Sequence, residues 1–175
     1  LDQLDRERRE KKFDVRIVDQ PKPPAHLWAV DVETKSVKRW TSGSDYSVAA
    51  FVISKDHRFI AFRGASTSRY ATGEEAEVYR LDLATGAVER LTRNQVSEGA
   101  MSFSPDGAWL AFTAPDDFTY MRNLRIYLAP ARGGPVREVE TDFDGDVSLG
   151  FWSRDSKAIY FTEGVGVNAH LFAIS

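Results

Sequence analysis

Among the side chains able to do chemistry, the serines recur most regularly. Ser54, Ser104 and Ser153 are each followed two residues later by Asp56, Asp106 or Asp155, and eight residues later by Phe62, Phe112 or Phe161, at intervals of 50 and 49 residues. A serine beside a carboxylate invites comparison with a hydrolase nucleophile, but an α/β-hydrolase holds that serine in a Gly-x-Ser-x-Gly elbow between strand and helix. The motif does not occur here. Ser42-Gly43-Ser44 comes nearest and lacks the second flanking glycine. The middle copy, Ser104-Pro105-Asp106-Gly107, has instead the residues of a tight turn. Proline presets φ, the aspartate accepts a nearby backbone N–H, and glycine takes positive φ at little cost. Ser54, Asp56, Ser104, Asp106, Ser153 and Asp155 are therefore expected to be structural turn residues, and no catalytic residue is assigned to the chain.

Other chemistries find little support. His26, His57 and His170 are scattered, and none has a second histidine or carboxylate at the four-residue spacing of a metal site built on one helix. The absence of cysteine removes disulfides, thiolate catalysis and cysteine-ligated metals. Neither a metal nor a cofactor is expected. Asp142, Asp144 and Asp146, with Gly145 among them, alternate as in a calcium loop, yet the distal glutamate of an EF-hand is missing, so a solvated acidic loop is expected. Gly164-Val165-Gly166-Val167 lacks the Lys-Ser or Lys-Thr of a phosphate loop and precedes a strand rather than a helix. Two longer interruptions hold more interest: Arg63 to Ala76, with Arg69, Tyr70, Glu74 and Glu75, and Ala114 to Asn123, with Asp116, Asp117, Tyr120, Met121 and Arg122. Loops on a rigid repeat scaffold are where recognition sits. Glu74 and Glu75, with Arg69 and Tyr70, are the candidate substrate-binding residues, the paired carboxylates being able to receive a cationic amino terminus or a basic side chain. Plain solvent exposure of the same residues is the alternative.

The elements that must position these loops follow from two alternating units. Phe51 to Phe62, Met101 to Phe112 and Gly150 to Phe161 each place the Ser-x-Asp turn between apolar runs, the pattern of a hairpin. Leu27 to Trp40, Tyr79 to Leu91 and Tyr127 to Val139 form a second hairpin whose aromatics, Trp28, Tyr79 and Tyr127, stand 51 and 48 residues apart. A fourth copy begins at Leu171-Phe172-Ala173-Ile174. Each period thus carries four short strands, the content of one β-propeller blade; a sandwich fits the strand spacing but does not require so regular a repeat. Adding Phe13 to Val18 gives about fourteen strands, or about three and a half blades, against the roughly four to eight that close a ring. The expected fold is all-β: a partial β-propeller of four-stranded antiparallel blades over 13–175, with repeats near 27–76, 77–123 and 124–168 and a fourth begun at 169. Residues 1–12 pair Asp2 with Arg6, Asp5 with Arg9 and Glu7 with Lys11 at four-residue spacing, the pattern of a short charged helix, and Pro21, Pro23 and Pro24 form a stiff connector. An open arc leaves sheet faces uncovered, which makes self-association to close the propeller a candidate.

Composition narrows the partners. In 175 residues, 42% hydrophobic, 23 Lys and Arg oppose 26 Asp and Glu for a net charge of −3, so no field gathers nucleic acid or an anionic membrane. No apolar run is long enough to span a bilayer, and the opening Leu1-Asp2-Gln3-Leu4-Asp5-Arg6 is too charged for a signal peptide's apolar region. The chain begins with Leu, so a targeting segment removed upstream stays open. It reads as a soluble chain of undecided compartment, with the cytoplasm ahead of the periplasm.

The Phe-Ser-Pro-Asp-Gly-x-x-Leu-Ala-Phe run from Phe103 to Phe112 and the Tyr-x-Leu-Asp-x-x-Thr-Gly run from Tyr79 to Gly86 resemble the WD-like repeats of TolB-type propellers. They also resemble the propeller of the prolyl oligopeptidase family of serine peptidases, including its dipeptidyl-peptidase and acylaminoacyl-peptidase branches. The opening Lys11 to Val18, followed by Leu27-Trp28-Ala29-Val30-Asp31, is more similar to the peptidase branch. The resemblance implies a non-catalytic propeller segment that gates peptide access and docks an α/β-hydrolase domain not present in this chain, with peptide substrate and that domain as partners. No residue of the hydrolase's Ser, Asp and His carries over, because no matching motif exists here. The first repeat departs from the pattern, with Lys55 and His57 where Pro and Gly are usual. The alternatives are a TolB-like propeller working through protein contacts with no enzymatic parent, and a lyase- or lactonase-like propeller, which the three isolated histidines disfavour.

Overall fold

The computed structural model describes residues 6–7, 10–11, 23–65, 76–94, 96–119, 121–139 and 145–175. Within the charged segment 1–12, the Lys11 N–H donates to the Glu7 carbonyl at 3.0 Å, one bond of a helical turn. No helix of regular length is found there among the described residues, and the remainder of the expected helix lies outside them, as does the strand expected over Phe13 to Val18.

Thirteen strands form four antiparallel sheets among the described residues. The first pairs β1 (Trp28–Val30) with β2 (Val37–Arg39). The second runs β3 (Ser47–Ile53), β4 (Phe59–Ala65), β5 (Ala76–Asp82), β6 (Val88–Arg90). The third runs β7 (Met101–Phe103), β8 (Trp109–Pro115), β9 (Leu124–Pro130), β10 (Arg137–Glu138). The fourth holds β11 (Val147–Trp152), β12 (Ile159–Val165) and β13 (Asn168–Ile174). Spatial order equals chain order in every sheet, and the first strands β3, β7 and β11 pack in succession. These are the meanders and inner strands of a partial β-propeller. The sheets are offset from the sequence period: residues 27–76 complete one sheet and open the next.

Alternation along the central strands explains the packing. Ile60 and Phe62 on β4 point back to Leu27 and Trp40 of the first blade, while Ala61 points forward to Leu110 and Phe112. The register repeats one sheet on, where Ala111 meets Val147, Ile159 and Phe161. Phe62, Phe112 and Phe161 are each fully buried, worth about 1.5–3 kcal/mol apiece in area removed from water. The forward-facing alanines let the next sheet approach. β3 and β11 each carry one register shift, between Val48 and Ala50 and between Leu149 and Phe151. Such bulges bend the inner strand and increase its twist.

Candidate functional site

Antiparallel meanders send their connections alternately to two ends of the arc. At one end lie the β3–β4, β7–β8 and β11–β12 turns, which share one construction. The Ser54 hydroxyl donates to Asp56 Oδ1 at 2.6 Å and accepts the Phe59 N–H at 2.9 Å, while Asp56 Oδ1 also accepts the Arg58 N–H at 3.1 Å. Ser104 bonds Asp106 and Trp109 in the same way, and Ser153 bonds Asp155 and Ala158. The turn closes through a left-handed residue, His57 at φ 55°, Gly107 at 71° and Ser156 at 64°. In each turn the serine hydroxyl, and then backbone N–H groups, hold the aspartate below the usual carboxylate range. These hydroxyls are thus engaged as both donor and acceptor, and Ser54 and Ser104 are fully buried, which leaves neither arranged as a nucleophile. The β1–β2 and β5–β6 turns reach the same end and use Asp31 and Asp82, whose Oδ1 atoms accept the Thr34 N–H at 2.7 Å and the Ala84 N–H at 2.8 Å.

At the opposite end run the β4–β5, β8–β9 and β12–β13 connections and the links from each sheet to the next. The β4–β5 connection carries Arg69, Tyr70, Glu74 and Glu75, all outside the described residues, as are Tyr120, Asp142 and Asp144. In the β8–β9 connection a single 3-10 turn spans Asp116–Phe118, and Phe118 stacks on Tyr127 at 4.4 Å. The Tyr127 hydroxyl donates to the Pro115 carbonyl at 3.1 Å, and burial pushes its pKa up to about 12.

Three glutamates buried at this end were not singled out in the sequence. Glu77, on β5, accepts from Arg90 at 2.6 Å and from the Asn94 N–H at 3.1 Å. Glu98, on the link to the third sheet, accepts from Asn94 Nδ2 at 2.9 Å, and burial raises its pKa to about 7. Glu163, on β12, accepts the Gly145 N–H at 2.7 Å, while Arg125 donates to the Gly145 carbonyl at 2.8 Å. The Glu77 and Glu163 carboxylates therefore fasten a link between sheets to the start or end of a strand, whereas the Glu98 carboxyl bonds within its own link. No local signal marks them, since β5 also carries Arg80 and Asp82 and β12 carries Thr162.

The histidines remain apart. His26 Nδ1 lies 3.2 Å from Thr41 Oγ1, His57 occupies its turn, and His170 tilts against Phe172. Among the described residues no group of three His, Cys, Asp or Glu is placed to hold a metal ion. A shallow groove beside Pro24, His26 and Gly43 is walled by Trp28 with the Arg39 guanidinium 5.4 Å from its ring centre.

Comparison with known proteins agrees with this architecture. The family model for the dipeptidyl peptidase IV (DPP IV) N-terminal region matches residues 8–119. Dipeptidyl-peptidase 5 of Porphyromonas gingivalis is 28% identical over 148 residues, covering 79% of this chain and 20% of the relative, so the chain spans about one fifth of that protein's length. Among solved structures, TolB from Acinetobacter baumannii superposes with a TM-score of 0.59 at 23% identity, over 85% of this chain and 34% of TolB. A prolyl endopeptidase gives 0.63 at 14% identity, over 87% of this chain and 24% of the peptidase. An oligogalacturonate lyase in complex with manganese gives 0.67 at 17% identity, over 87% and 45% of the two chains. At these identities the structural matches speak for the fold alone.

Proposed function

The chain belongs to the dipeptidyl peptidase IV N-terminal region family, and from that premise we propose that it is the non-catalytic propeller segment of a prolyl-oligopeptidase-like serine peptidase, gating peptide access and docking an α/β-hydrolase domain. The observation that carries the reading is the alignment with a dipeptidyl-peptidase through the same repeats that fold here into sheets. The structure supports a gate physically. The successive first strands β3, β7 and β11 pack in order along one edge of the sheets, the edge that lines the central channel of a propeller. A rigid rim of this kind admits a narrow chain and excludes a folded one.

Within this reading, Glu74 and Glu75 receive the cationic amino terminus of the peptide, and Arg69 and Tyr70 of the same connection take part in binding it. They directly precede β5, and Glu77 and Glu98 hold the start of that strand in place. The hydrolase domain supplies the nucleophile, and this chain supplies access and orientation, which lower the entropic barrier to productive binding.

The test uses the complete gene product. It should react with a fluorophosphonate probe at a serine outside residues 1–175 and cleave dipeptides from short peptides with a free amino terminus. Replacement of Glu74 and Glu75 by Gln should raise KM for free peptides and leave N-acetylated peptides unchanged. A gene product with neither labelling nor cleavage would overturn the proposal in favour of a propeller that works by protein contact.

A further inference from the structure

A fully buried carboxyl stands where the second sheet passes the chain to the third. Glu98 lies on the link between β6 and β7. Its backbone N–H donates to the Ala76 carbonyl at the start of β5 at 3.2 Å, and the next N–H, of Gly99, donates to the Thr113 carbonyl on β8 at 2.7 Å. Two consecutive residues thus tie together two sheets. The side chain is less well provided for. Oε1 accepts from Asn94 Nδ2 at 2.9 Å, whereas Oε2 is buried with no hydrogen-bond partner. The charged group facing it from β5 is Glu77, of like sign; Arg90 from β6 is turned onto Glu77 at 2.6 Å. β8 contributes the neutral Thr113, whose hydroxyl accepts the Ala100 N–H at 3.1 Å, and the link itself contributes the Asn94 amide and the Thr92 hydroxyl.

We propose that Glu98 is a proton-operated latch between the second and third sheets, closed when its carboxyl is neutral and loosened when it is ionised. A neutral carboxyl tolerates burial beside another carboxylate, but an ionised one with an orphaned oxygen is penalised by desolvation and by Glu77. Burial is the largest influence on the group, and its pKa of about 7 against an ordinary 4.5 places the change near neutrality. The sign follows from linkage. The folded state holds this proton more tightly than the unfolded state, so the latch is at full strength below pH 4.5 and weakens as pH rises through 7. The inference stands independently of peptide recognition.

The experiment is native-state hydrogen exchange of the Glu98 and Gly99 amides, corrected for intrinsic rates, from pH 5 to pH 8. Wild type should lose roughly a hundredfold of protection across that range. Glu98→Gln, which cannot ionise, should show protection independent of pH. Equal pH dependence in wild type and Glu98→Gln, or a flat wild-type profile, would overturn the latch. Should Glu98→Gln fail to fold, a carbon-13 titration of the wild-type Glu98 carboxyl decides: a midpoint near 7 supports the proposal and one near 4.5 overturns it.

Discussion

The Asp106 backbone N–H donates to the Ser156 hydroxyl at 3.0 Å, joining the inner turns of two neighbouring blades across 50 residues of sequence, one repeat length. Ser156 is also the left-handed residue of its own turn, at φ 64°. The turns that make each hairpin therefore help stitch one blade to the next. On the other side of the same turn, Gly107 faces the Asp56 carboxylate, whose Oδ2 would lie 3.6 Å from an added Cβ.

Ser104→Ala is expected to destabilise the protein by about 1–3 kcal/mol, because it orphans the Trp109 N–H and removes the donor to Asp106. Ser153→Ala, at a more exposed turn, should cost less. Urea denaturation of the two variants against wild type measures both.

The turn aspartates impose an acid limit. The pKa of Asp106 is lowered in the folded state, first by the Ser104 hydroxyl and then by the Ala108 N–H, so its contribution is present above its ordinary 3.8 and is lost as pH falls through the lower folded value. Asp106→Asn should flatten the loss of stability below that ordinary value, read as melting temperature against pH. An unchanged acid limb would show that the turn carboxylate is not linked to folding.

Gly150 sits at the β11 bulge, where an added Cβ would lie 2.6 Å from the Tyr160 carbonyl oxygen, a backbone atom that cannot swing aside. Gly150→Ala is expected to cost about 1–3 kcal/mol by overpacking and to disturb the β11–β12 amide resonances first.

Arg80 spans two blades. It donates to the Ala131 carbonyl at 2.9 Å, pairs with Glu89, and lies over the Phe59 ring at 5.2 Å. Arg80→Ala should cost about 1.5–3 kcal/mol, in line with a charge-assisted bond to a partly buried carbonyl. Arg122→Ala, which removes an exposed ion pair at 3.7 Å, should fall within about 0.5 kcal/mol of wild type in the same denaturation series.

The fold was legible in the sequence because its information is local and repeated. Ser-x-Asp turns, left-handed positions and period-two alternation each act within a dozen residues, and three copies at a common interval exclude chance. The placement of sheet boundaries was less legible, since a periodic pattern does not say where each blade starts; the pairing of β3 to β6 within one sheet decides it. Glu77, Glu98 and Glu163 were illegible for a different reason. Their burial depends on links folding back onto strand ends, with Glu77 meeting Asn94 and Glu163 meeting Gly145, contacts 17 and 18 residues apart that no local pattern encodes. Arg69, Tyr70, Glu74 and Glu75 lie outside the described residues, so their role rests on the peptide experiments above.

The central claim, that this propeller segment governs peptide access to a hydrolase domain, is tested most directly by kcat/KM of the complete gene product on a length series, from dipeptidyl reporters through longer unstructured peptides to a folded protein carrying the same amino-terminal residues. The account predicts efficient cleavage of short free peptides, a steep decline with length, and no cleavage of the folded substrate. Equal cleavage of short peptides and folded protein, or no hydrolysis of any member of the series, would contradict it.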